Sequence, residues 1–232
     1  QGNSHDLDFV IERNGTTVTL GAPAAFIELA WRRYTKHSRN KAGEIEGSLY
    51  HLKEIYATTC GFVGAIIAGE FTDGAVQQME SRGVHILKIP FEVMVTAFRS
   101  KGIDINHAED ASDDVKNRII ARLEPLTSAQ LAEIGDCLKE LIKQDYRAFI
   151  RGLESALLRN VREIVVSSLF GCNQSFSNVK EAIDGLKSMD GNIQTDLLAF
   201  QKYEIFVRFN NGDKIDGSFK ELASAMAFLM NV

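Results

Sequence analysis

FIELAWRRYTKHSRNKAGEIEG, residues 26–47, runs from an apolar stretch holding one carboxylate, through a basic connection, into the opening of a helix. With Ala24 and Ala25 before it, the run Phe26, Ile27, Leu29 and Ala30 is interrupted only by Glu28. The run reads as a strand bound for the interior, where a carboxylate is costly unless an ion or a cationic side chain compensates it. A metal ion would do so, and an arginine of the following run is the structural alternative. From Trp31 to Lys41 the chain carries Arg32, Arg33, Lys36, Arg39 and Lys41 with no acidic residue, so positive charge sits just beyond the strand's C-terminal end. That charge suits a phosphate. Trp31, adjoining the apolar run, is expected to be a core anchor rather than a stacking platform.

Upstream, residues 5–11, HDLDFVI, read as a strand with Asp8 near its start, Asn14-Gly15 is a hairpin turn signal, and VTL (residues 18–20) then AAFIELA (residues 24–30) read as one or two further strands. Downstream the period changes: Ala42, Ile45, Leu49, Leu52, Ile55 and Tyr56 recur at three- and four-residue steps, which predicts an amphipathic helix. Phe62 to Ala68 is an apolar run of the kind a sheet centre needs. Thr72 or Asp73 caps a helix closed by Gly83, Val84 to Ile89 reads as a strand closed by Pro90, and Phe91 to Lys101 as a helix closed by Gly102. The alternation predicts an α/β fold with a mixed central sheet covered by helices on both faces.

Beyond a polar stretch, residues 106–114, the texture becomes helical. Thr127 or Ser128 opens a region expected to hold two or three helices as far as Leu169, broken by residues 171–178, with short helices over 179–186 and 196–200. Tyr203 to Phe209 alternates as a strand and meets the Asn211-Gly212 turn; Ser218 with Glu221 reads as a capping box for a last helix. The expected division is a core over residues 1–107 and a helical region with a small ββα unit over 108–232, serving recognition or dimerisation.

The 232 residues, 45% hydrophobic and 25% charged, have the balance of a globular chain. A net charge of −5 does not advertise nucleic-acid binding, but a local cluster is what a polyanion meets. Cys60, Cys137 and Cys172 form neither a CxxC pair nor a disulfide framework and read as reduced thiols, pointing to the cytoplasm. No apolar run is long enough for a membrane span, and no signal-peptide pattern opens the chain. Neither a Walker loop nor a Rossmann glycine fingerprint is present, and the histidines lack metal-ligand spacing.

Asp8 on the first strand, Glu28 on the next long one and a helix with Glu44 and Glu46 immediately after form a plan. In order and spacing it resembles the PD-(D/E)XK nuclease superfamily, the restriction-endonuclease-like fold, over roughly residues 5–102. The resemblance implies that Asp8 and Glu28 bind Mg²⁺, with Mn²⁺ able to substitute, near a scissile DNA phosphate. It also implies a polar residue on the following helix and a lysine two residues after the glutamate; position 30 is alanine instead. Lys41 is the expected replacement, one helical turn before Glu44, with Lys36 its competitor; Glu46 falls about 200° around the helix from Glu44. Arg32, Arg33, Lys36 and Arg39 would grip DNA phosphates. The expected activity is a metal-dependent endodeoxyribonuclease of a restriction or defence system; the alternatives are a DNA-binding module that kept the fold without catalysis and a protein-interaction domain.

Overall fold

The structure, a computed structural model, describes residues 7–35, 38–168, 173–193 and 202–232, and their side chains except those of residues 38, 39 and 190–193. Two four-stranded sheets organise it. β1 (Phe9–Arg13), β2 (Ala22–Arg32), β3 (Phe62–Gly69) and β4 (His85–Ile89) lie in that order in a mixed sheet. β3 and β4 run parallel, Gly64 opposite His85 through Ala68 opposite Ile89. By compactness the chain divides into two units drawn from alternating segments. The first takes Gln1–Phe9, Phe26–His51 and Val63–Gly152; the second takes Val10–Ala25, Leu52–Phe62 and Leu153–Val232.

In the first unit, helices follow strands as the α/β reading expects. α1 (Ser38–Ile55) buries Ala42, Ile45 and Leu49, spaced three and four apart on one stripe. α2 (Asp73–Ser81) opens where the Thr72 hydroxyl accepts from the Ala75 amide at 3.3 Å and closes before Gly83, whose φ of +77° suits only glycine at low cost. Pro90 ends β4 and opens α3 (Phe91–Arg99), which stops before Gly102 at φ +72°. α4 (Asp113–Leu123) has no buried residue. α5 (Ser128–Leu141) carries the Thr127–Gln130 capping box and packs against α3; α6 (Lys143–Leu157) follows.

The second unit is built on an antiparallel sheet in the order β6-β5-β7-β8: β5 (Val161–Ser168), β6 (Gln174–Phe176), β7 (Tyr203–Phe209) and β8 (Lys214–Phe219). α7 (Val179–Ile193) and α8 (Leu222–Met230) supply Ala182, Leu186, Ala225 and Leu229 to a core with Ile164, Val166, Ile205 and Val207, all fully buried. Arg159 is also buried here. Its Nη1 pairs with Asp213 at 3.2 Å, its Nη2 donates to the Thr58 carbonyl at 2.9 Å, and its guanidinium lies 4.2 Å over the Phe209 ring.

Four expectations are corrected. Helix does not run to Leu169: residues 161–168 are β5, whose Ile164, Val166 and Ser168 face inward at alternate positions while β6 and β7 satisfy the backbone on either side. α7 extends past the expected residue 186 to Ile193, while the break expected over residues 171–178 holds the short strand β6. Residues 18–20 are not strand, because the Thr16 hydroxyl accepts from the Val18 and Thr19 amides at 3.2 and 3.0 Å and holds them in a turn. Ser218 caps nothing; it sits in β8 opposite Glu204, and α8 opens at Glu221 without a side-chain cap. The helix expected over 196–200 lies outside the described residues. No helix among the described residues is long and apolar enough to cross a membrane.

Candidate functional site

β2 carries Glu28 into the sheet interior, where it is only 9% exposed among Phe26, Ile27 and Ala30. Asp8 lies one residue before β1, and its Oδ2 accepts from the Leu29 amide at 2.7 Å, which pins an exposed carboxylate beside the buried one. The two carboxyl groups lie close enough that a protonated Glu28 would donate to Asp8. Burial is the first cause that raises the Glu28 pKa above the ordinary glutamate value; the bond to Asp8 and its negative charge add to it, and Lys41 opposes them.

Lys41 stands near the start of α1, about a quarter exposed, with its Nζ 3.3 Å from Glu44 Oε2. Glu44 is largely exposed, on the solvent side of that pair. The structure thus brings Asp8, Glu28 and Lys41 together and holds Glu44 against Lys41 alone. Glu46 turns elsewhere, as its angular offset requires: it accepts from Gln78 Nε2 at 2.6 Å and pairs with Arg82 at 3.1 Å.

The four cations expected at phosphates are placed differently from one another. Arg32 is half-buried, its Nη1 donating to the Trp31 carbonyl at 2.8 Å. Arg33 is committed within the protein: its guanidinium lies 3.6 Å over the Phe91 ring and 4.8 Å from the Tyr34 ring, and its Nη2 donates to the His107 carbonyl at 2.9 Å and to Asn106 Oδ1 at 3.3 Å. Lys36 lies outside the described residues, as does the Arg39 side chain.

Among the described residues no three His, Cys, Asp or Glu side chains converge as a metal cage. Mg²⁺ does not need one, since it keeps several waters and is commonly bound through one or two carboxylates and the substrate's phosphate. Asp8 and Glu28 fit that donor set, because two adjacent carboxylates repel each other and a divalent cation between them would relieve that repulsion. No family model, curated protein or solved structure matches this chain.

Sequence reasoning missed a cleft of about 470 Å³ in the first unit, between the end of β2, α3, residues 105–109 and α4. Trp31, expected as a core anchor, is 42% exposed on its wall and tilted against Phe91 at a ring separation of 6.0 Å. Alternation along β2 already separates Trp31 from Glu28, an odd spacing that sends them to opposite faces. The other walls come from residues about sixty to ninety positions away, which leave no local signal.

Proposed function

We propose that this protein is a metal-dependent endodeoxyribonuclease with a restriction-endonuclease-like core. The observation that carries the reading is the buried Glu28 held beside Asp8, which is pinned to the Leu29 amide, with Lys41 close by. Asp8 and Glu28 would hold Mg²⁺, which when bound supplies an activated water and neutralises phosphate oxygens. Lys41 presents a compact ammonium on a flexible stem, suited to holding a phosphate oxygen or orienting the attacking water, the role a lysine at position 30 would otherwise fill. Ala30 itself is 8% exposed, packed in the core. Arg32, half-buried at the end of β2, is the described cation best placed to meet a backbone phosphate.

The test is cleavage of supercoiled plasmid with Mg²⁺ or Mn²⁺ against EDTA. Nicking or linearisation is expected only with metal, and Asp8→Ala or Glu28→Ala should abolish it while circular dichroism stays native. Turnover that survives both substitutions would refute the assignment. Alanine at position 30, where the resemblance calls for a lysine, supports a second reading, a DNA-binding module without catalysis, whose mark would be salt-sensitive DNA binding with no cleavage under any metal.

A further inference from the structure

We propose that the cleft of the first unit is a binding site for a small apolar, aromatic molecule carrying one anionic or carbonyl acceptor group. This goes beyond the nuclease reading and does not rest on it. At about 470 Å³ the cleft is within the range of small-molecule sites. Its walls are mainly apolar: Trp31, Phe91, Met94 and Phe98 on one side, Ile119 and Leu123 of α4 on the other. α4 faces this space with no residue fully buried, so its apolar stripe is only partly covered by the protein itself.

Two observations specify the ligand's chemistry. Arg33 Nε and Tyr34 Oη belong to lining residues, and both atoms are buried with no hydrogen-bond partner among the described residues. Leaving two donors unpaired away from water is costly; both atoms lie just behind the cleft surface, so a small turn of each side chain as a ligand enters would bring it to an acceptor. The charged groups around the cleft are Arg33, Lys116 and Glu109, a net positive balance that favours an anionic acceptor over a cationic one. The occupant is a small molecule rather than a second copy of this chain, because a stable dimer buries about 800 Å² per partner, more than a single concave site of this size offers.

The chain's one tryptophan lines the cleft, which makes the test direct. The probe is 1-anilinonaphthalene-8-sulfonate, an aromatic body with one anionic acceptor, titrated into the full chain with excitation of Trp31. Saturable binding of one probe per chain with energy transfer from Trp31 is expected. Tyr34→Phe, which removes only the hydroxyl, should weaken it about five- to tenfold. Ile120→Glu, at a lining position 48% exposed and therefore safe for folding, should weaken it more than tenfold. Phe206→Ser, at an exposed aromatic of the second unit, should leave it unchanged. Absence of saturable binding, full retention of affinity by both cleft variants, or loss of binding in Phe206→Ser instead would overturn the proposal. So would a concentration-dependent doubling of mass in sedimentation that Ile120→Glu abolishes, since the cleft would then belong to a second copy.

Discussion

Glu28 couples folding to proton binding. Its pKa is higher in the folded chain than in the unfolded one, chiefly through burial and then through Asp8, so the folded state holds its proton more tightly. The stability tied to that proton is fully present below the ordinary glutamate pKa of 4.5 and is lost as pH rises through the raised folded value. Glu28→Gln, which keeps the shape and removes the charge, should therefore melt above the wild type at pH 8 without metal, with the gap closing as pH falls to 4. Millimolar Mg²⁺ should raise the wild-type midpoint and leave that of Glu28→Gln in place, a comparison read by thermal melts alone. Lys41→Ala should slow cleavage by about two to four powers of ten with little change in DNA affinity, the signature of a positioned catalytic group. Arg32→Ala should instead weaken DNA binding and lower the slope of log affinity against log salt by about 1. Glu28 and Lys41 could be singled out from sequence because each breaks a local pattern, a charge in an apolar run and a cation one turn before an acid. Arg33 looked like its neighbours Arg32 and Lys36; what distinguishes it is a stack on Phe91 and a bond to His107, contacts with residues far along the chain.

Elements with chemical punctuation are the ones the sequence announces. Thr72, Pro90, Thr127 and the glycines at 83 and 102 mark helix ends through their own side chains or backbone freedom, and the structure uses each of them so. β5 has no such mark. It follows α6 with only residues 158–160 between them, no glycine or proline among these, and its pairing partners on β7 are some forty residues on. Ser218 misleads for the opposite reason, since the capping-box spacing is there but the β8 ladder already claims its backbone. Two substitutions test the punctuation. Thr127→Ala removes the box that opens α5 and should cost about 1 kcal/mol. Gly69 closes β3 at φ +90°, where a side chain would fall against the Arg32 carbonyl and 2.9 Å from the Trp31 ring; that carbonyl already accepts from the Glu70 amide at 2.7 Å. Gly69→Ala should cost well over 1 kcal/mol and lower the melting midpoint by several degrees, and an unchanged midpoint would show that the strand end relaxes freely.

At the scale of the whole chain, the compact units alternate along the sequence, with the chain passing between them after residues 9, 25, 51, 62 and 152. A fragment ending at residue 107 would lack the last part of the first unit and the longest segment of the second. It should show a broad melt and rapid proteolysis; a sharp cooperative transition would show that the first segments suffice. The same threading sets a timetable during synthesis. β2, with its apolar run from Ala24 to Ile27, leaves the ribosome well before Gly152, and the first unit is not complete until that residue has followed. At about 5–20 residues per second that wait is on the order of ten seconds, during which the apolar strand has only part of its unit to cover it.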